Sequence, residues 1–225
     1  MRAIIFANGV MKNWPTALDL LPENDLLIAA DGGLNHCLHW GIIPHVIIGD
    51  MDSVDPVDLS AFEKKGVEVI KFPPHKDETD LQLAIQLALD RNIQEIFVLG
   101  ALGARWDMTF SNVLILASPL LKNAAVKLLV EDQEIFCIHG GQDIEINGSS
   151  GDIISLLPLL HDAVGVTLSG FEYALDEETL LVGTTRGVSN VLKDLSARIR
   201  IKRGNLLVVV MRASSNDSIN KDILA

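Results

Sequence analysis

The sequence predicts an α/β protein. A doubly wound, mostly parallel sheet domain spans residues 1–131, and an all-β domain, a small antiparallel sandwich or barrel, spans 132–225. Three observations lead there. Up to about residue 131, short apolar runs alternate with stretches of helical spacing, and strands alternating with helices at this interval build a parallel sheet covered on both faces. Beyond that point convincing helical stretches stop. Short β-type runs follow, punctuated by Gly140-Gly141, Asn147-Gly148, Gly170 and Gly204-Asn205, the residues tight turns require. Finally, 225 residues, 48% of them apolar, are enough to bury one large core or two modest ones.

Residues 2–7 read as the first strand. The run Ala3-Ile4-Ile5-Phe6 is apolar but lacks the longer apolar region and cleavage site of a signal peptide. Asn8-Gly9 makes a tight turn, and Trp14 to Leu21 fits a short helix with Pro15 at its start. Residues 26–30 are the second strand and run into Asp31-Gly32-Gly33. A helix over 34–40 is stopped by Gly41 and Pro44. Residues 46–48 form the third strand, ending at Gly49. Residues 56–65 read as a helix closed by Gly66, and 68–71 as a strand. Thr79 with Gln82 makes a capping box for a helix in which Leu81, Ala84, Ile85 and Ala88 recur at helical spacing. Residues 95–99 are a strand leading into Gly100-Ala101-Leu102-Gly103-Ala104-Arg105-Trp106-Asp107. A helix then runs to about Ala117, and 125–130 supply one more strand. In the second domain the β-type runs are 135–138, 144–146, 153–157, 165–168, 197–202 and 206–211, followed by a loose polar tail from about 214.

A formal charge of −12 argues against a general binder of nucleic acid or anionic membranes. Mean hydropathy is +0.31, too apolar for disorder, yet no run approaches the ~18 apolar residues of a membrane span. Cys37 and Cys137 stand alone in apolar surroundings without metal-type spacing, as buried thiols of a reducing cytoplasm would.

Polar clusters follow four of the predicted strands. The sharpest is Gly49-Asp50-Met51-Asp52-Ser53, where two carboxylates separated by a spacer leave a strand end together. Hard oxygen ligands without thiols or imidazoles beside them suit Mg²⁺. The same residues are ordinary turn formers, with Ser53 as a helix cap. Asp31-Gly32-Gly33, Lys76-Asp77-Glu78-Thr79-Asp80 and the glycine-rich segment ending in Arg105 and Asp107 also admit structural explanations. Asp31 can cap a helix, and Asp80 gains from a helix dipole. The glycines fit neither the dinucleotide fingerprint nor the P-loop. Together, however, so many aspartates at one sheet edge repel one another, and divalent metal with bound cationic groups is the natural compensation. Such a site, with Lys76 and Arg105 nearby, suits transfer of a phosphorus group from a nucleotide. In the second domain, Gly183-Thr184-Thr185-Arg186-Gly187-Val188-Ser189-Asn190 is dense in small polar side chains. It reads either as a binding loop for an uncharged heteroaromatic ligand or as a β-turn.

The ordered set of motifs resembles the bacterial thiamine pyrophosphokinases. The matching elements are DGG at 31–33, GDMDS at 49–53, KDETD at 76–80, GALGARWD at 100–107 with Asn112, and TRGVSN at 185–190. The resemblance implies an α/β catalytic domain, a C-terminal β-sandwich, and a homodimer with active sites at the interface. It also implies transfer of pyrophosphate from ATP to the thiamine hydroxyl, with Mg²⁺ and release of AMP. By the same resemblance Asp50, Asp52 and Asp80 are catalytic and metal-site acids. Asp31, Lys76, Asp77, Thr79, Arg105, Asp107 and Asn112 serve ATP and its phosphates, and Ser189 and Asn190 contact thiamine. Ala104 and Met108 depart from the family pattern, where glycine and histidine are usual. Two alternatives share the phosphate machinery: a diphosphokinase for another heteroaromatic alcohol such as a hydroxymethylpterin, and a non-catalytic nucleotide or metabolite sensor.

Overall fold

The computed structural model describes residues 1–15, 24–103 and 105–213. They fall into two compact units, 1–131 and 132–225. Most of the helix expected at Trp14–Leu21, the Ala104 departure and the tail from 214 lie outside the described residues.

In the first unit the strands are β1 (Ala3–Phe6), β2 (Leu26–Ala30), β3 (Val46–Gly49), β4 (Glu68–Lys71), β5 (Glu95–Leu99) and β6 (Ala125–Val130). They pair in parallel in the order β4-β3-β2-β1-β5-β6. Apart from Glu95 at the exposed start of β5, the central strands are apolar because both faces are covered: Ala3, Ile4, Ile5, Phe6, Ile28, Ala29, Val46, Ile47, Ile96 and Val98 are all at 0% exposure. Burying each large side chain contributes ~1.5–3 kcal/mol. One face, carrying Ile4, Phe6, Leu27, Ala29, Ile47 and Phe97, packs with Leu34 and Cys37 of α1 (Leu34–His39) and Leu59 and Phe62 of α2 (Pro56–Lys64). Helix α3 (Asp80–Asp90) packs across β1, β2 and β3 and buries Leu81, Ala84, Ile85 and Ala88. Helix α4 (Trp106–Ile115) follows β5.

The helix starts follow capping chemistry. Asp55 accepts a hydrogen bond from Val57 N at 2.8 Å ahead of Pro56, and Thr79 accepts one from Gln82 N at 3.3 Å. Strand order reverses at β1: β2, β3 and β4 lie on one side of it, β5 and β6 on the other. A crevice therefore opens beyond the carboxyl ends of the strands at that point.

In the second unit every pair is antiparallel. The strands are β7 (Gln133–His139), β8 (Asp143–Asn147), β9 (Ile153–Ser169), β10 (Leu175–Leu180), β11 (Asn190–Val191), β12 (Ser196–Arg200) and β13 (Arg203–Met211). The two runs expected at 153–157 and 165–168 are one 17-residue strand. Its first half pairs with β13 and β11, its second with β10 and β12, so it serves two sheets around one core that includes Ile154, Leu156, Val166, Leu168, Ile199 and Val208. Leu160 (φ 71°) and Gly165 (φ 68°) mark where it turns from one sheet to the other; Pro158 and His161-Asp162 disguise that continuity in the sequence. Strand β10 was not expected, since Asp176-Glu177-Glu178 has poor strand propensity. Its two glutamates are neutralised by pairing: Glu177 with Arg200 and Lys202, and Glu178 with Arg186.

Candidate active site

A cavity of ≈ 330 Å³ lies at the carboxyl ends of the parallel strands of the first unit. The turns after β1, β2, β3 and β5, with α3 and α4, supply its wall. Asn8 and Gly9 come from the turn after β1, Asp31 from the turn after β2, and Asp50, Asp52 and Ser53 from that after β3. Asp80 opens α3, while Gly100, Ala101, Gly103 and Arg105 follow β5, and Met108 and Asn112 lie on α4.

The acids meet because the turns are forced into unusual backbone. Asp31 (φ 44°) sits in a single 3-10 turn, and Met51 (φ 65°) separates Asp50 from Asp52. Left-handed non-glycine residues cost of order 1–3 kcal/mol each and persist where the surrounding structure over-determines them. Met51 recovers part of that by packing its side chain into the core shared with α1 and α2, which leaves the aspartates on either side of it at the cavity. Carboxylate oxygens of Asp31, Asp50 and Asp52 all lie within 4.8 Å of one another. Two unit charges so spaced near a protein surface repel by roughly 3 kcal/mol. The local bonds relieve little of this: Asp50 Oδ1 accepts from Asp52 N at 3.3 Å, and Ser53 Oγ donates to Asp52 Oδ1 at 2.8 Å. Ser53 thus serves the acid, and Asp55 caps α2. Asp31 is 6% exposed, and its Oδ1 is buried without a hydrogen-bond partner. An orphaned carboxylate oxygen beside two further carboxylates fits a divalent cation, whose oxygen ligands lie across ~4 Å in magnesium's octahedron.

Asp80 lies next to this group and is paired differently. Lys76 Nζ is 2.8 Å from Asp80 Oδ1 and 3.7 Å from Asp50 Oδ2. Burial raises the Asp80 pKa; Lys76 opposes the rise, and the charges of Asp31 and Asp50 add to it. Burial works against the Lys76 charge, but Asp80 and Asp50 outweigh it and raise the lysine's pKa.

The remaining residues singled out in the sequence divide. Arg105 and Asn112 line the cavity. Asn112 is buried, donates from Nδ2 to Ala101 O at 2.7 Å, and has no partner for its Oδ1. Thr79 is occupied as the cap of α3, and Asp77 is exposed outside the cavity lining. Asp107 is likewise exposed and forms a two-pronged ion pair with Arg105. In the second unit, Asn190 is 4% exposed and its amide is bound to backbone. Oδ1 accepts from Tyr173 N at 3.0 Å and Val191 N at 2.9 Å, and Nδ2 donates to Tyr173 O at 2.8 Å. Ser189 (φ 58°) is exposed, and its N–H donates to Ser155 Oγ at 3.0 Å. The sequence reading treated Asn8-Gly9 only as a turn. It lines the cavity, with His36 Nε2 2.9 Å from Gly9 O. Its position directly after a strand, like that of the acid-bearing loops, was the available signal.

The family model for the catalytic domain of thiamin pyrophosphokinase matches residues 17–128, and that for its vitamin B1 binding domain matches 142–206. The chain belongs to the thiamin pyrophosphokinase family. It is 29% identical over 211 residues to the thiamine pyrophosphokinase of Bacillus subtilis (strain 168), covering 93% of this chain and 98% of that one. The crystal structure of a thiamine pyrophosphokinase from Bacillus subtilis matches with a TM-score of 0.80 at 27% identity, over 95% of this chain and 100% of the other. The thiamin pyrophosphokinase of Candida albicans shares the fold at 17% identity, with a TM-score of 0.79 over 94% and 90% of the two chains. Within the family's catalytic-domain match lie the four acids of the cavity, Lys76 and Arg105; within the vitamin B1 binding match lie Ser189 and Asn190. Among the described residues, no helix is long and apolar enough to cross a membrane.

Proposed function

We propose that the protein transfers pyrophosphate from ATP to the hydroxyl of thiamine, giving thiamine diphosphate and AMP. One observation carries the reading: Asp31, Asp50 and Asp52 converge in a cavity that Arg105 also lines, in a chain of this family. Asp31, Asp50 and Asp52 would hold Mg²⁺, with Asp80 beside them. When bound, the ion would neutralise charge on the transferred group, the main requirement of phosphoryl chemistry.

The chain's own groups do the rest. Lys76 and Arg105 steady the phosphates, and Asn112 offers its unpartnered Oδ1 to a donor on the nucleotide. The thiamine hydroxyl attacks the β-phosphorus in line. Its oxygen forms the new bond as the bond from the β-phosphorus to the bridging oxygen breaks, leaving that oxygen on AMP. Asp80 is placed to take the hydroxyl proton, and its raised pKa suits a base. The acidic wall also suits the thiazolium cation. In this reading the first domain, a doubly wound mostly parallel sheet, holds ATP and metal, and the second, an all-β sandwich, contributes to thiamine binding. There Asn190 locks the loop and Ser189 meets the substrate, in a cytoplasmic homodimer whose subunits complete each other's sites.

Phosphorus NMR of the reaction with ATP, Mg²⁺ and thiamine tests the proposal. AMP and thiamine diphosphate are expected; ADP with thiamine monophosphate, or no turnover, would overturn it.

A further inference from the structure

Lys76 is placed where a metal would interfere with it. Its side chain is 11% exposed and its ammonium lies 2.8 Å from Asp80 Oδ1 and 3.7 Å from Asp50 Oδ2. Asp50 is also one of the three acids whose oxygens cluster within 4.8 Å. The lysine and a divalent ion on Asp31, Asp50 and Asp52 would share a carboxylate and sit a few ångströms apart with like charge. Both cannot be held there at full strength. Lys76 is reached through the Pro73-Pro74 loop and precedes the cap of α3, so its long flexible stem can swing while the helix stays fixed.

We propose that Lys76 is a built-in counter-cation of the acid cluster that exchanges with the metal. With no metal bound, the ammonium holds Asp50 and Asp80 together against their mutual repulsion. A divalent ion held by Asp31, Asp50 and Asp52 would displace it, and the freed ammonium would then be available to the nucleotide phosphates. The exchange couples metal occupancy to creation of a phosphate-binding cation, and it rests on the metal-site reading above.

The test uses Lys76→Met and Lys76→Arg in the full chain, with Mn²⁺ binding followed by electron paramagnetic resonance in the absence of nucleotide. Thermal unfolding is measured in parallel, with chelator and with Mn²⁺. Lys76→Met should bind Mn²⁺ about tenfold more tightly than wild type, as expected when one competing unit charge is removed. It should also melt below wild type in chelator and recover once Mn²⁺ is added. Lys76→Arg, which keeps the charge, should stay near wild type in both. Equal or weaker Mn²⁺ binding by Lys76→Met would overturn the exchange, as would a melting temperature unchanged in chelator. A wild-type protein that binds no Mn²⁺ would instead overturn the metal site itself. A merely structural lysine would lower affinity on removal, so a gain in affinity separates the two roles.

Discussion

Gly49 and Asp80 approach so closely that a Cβ built on the glycine would stand 3.0 Å from Asp80 Oδ1, and 2.9 Å from the Cβ of Asp31. The glycine also has φ 150°, in the region L side chains rarely adopt. It is the gap through which acids from three different loops reach one another. Gly49→Ala should therefore cost on the order of 1–3 kcal/mol in strain, seen as a lowered melting temperature. It should reduce kcat by more than tenfold by spreading the carboxylates. An alanine variant with wild-type turnover would show that the close approach is not needed.

Asp52 contributes charge to the cavity but is exposed, so its removal should leave the fold intact. Asp52→Asn is expected to lose several orders of magnitude in kcat, as for other electrostatic groups at a phosphoryl-transfer centre, with unchanged circular dichroism. Near-normal turnover would take Asp52 out of the chemistry.

Asp31 should behave differently. Its Oδ1 is buried without a hydrogen-bond partner among other acids, so its charge burdens the folded state. Asp31→Asn should melt no lower than wild type in chelator, yet lose Mn²⁺ affinity, a stability–function trade. A clear drop in metal-free stability would contradict that account.

Asp152 anchors Arg212 and Ala213, the last described residues of the second unit. Burial works to raise its pKa, but hydrogen bonds from Ala213 N and Ser149 N and the Arg212 guanidinium outweigh this and hold it below 3.8. A depressed carboxylate pKa stabilises the fold above the unfolded value, and that stability is lost as pH falls through the folded value. Asp152→Asn should thus melt below wild type at pH 7, and the gap should shrink once the pH drops under 3.8. A gap independent of pH would mean that the charge is not what Asp152 contributes.

Burial pushes both thiols, Cys37 and Cys137, up to about 12. Neither should react with an aromatic disulfide reagent at pH 8 while the protein is folded, and both should react in denaturant. Rapid labelling of the native protein would refute this.

The inner strands of the first unit were legible because a buried parallel strand is apolar almost throughout: 26–30 carries no polar residue, and 95–99 only Glu95 at its exposed start. The loops that carry the site were legible too, as polar sequence directly after those runs. Local pattern does not say which loops meet. Asp31 joins Asp50 and Asp52 because β2 and β3 are neighbours in parallel register, pairing Ala30 with Ile48. Thr79 is drawn off to cap α3, and Asp77 and Asp107 are left in solvent. In the second unit the continuity of β9 and the existence of β10 depend on partners far along the chain, Arg200 and Lys202 for Glu177 above all. Among the described residues of the first unit, the sequence by itself determined where the chain would be strand, helix or turn, because there those choices rest on side-chain periodicity and local backbone chemistry. Only the tertiary structure decided which carboxylates share a cavity and which lysine answers them, because those distances are set by strand order and register between segments that the sequence keeps apart.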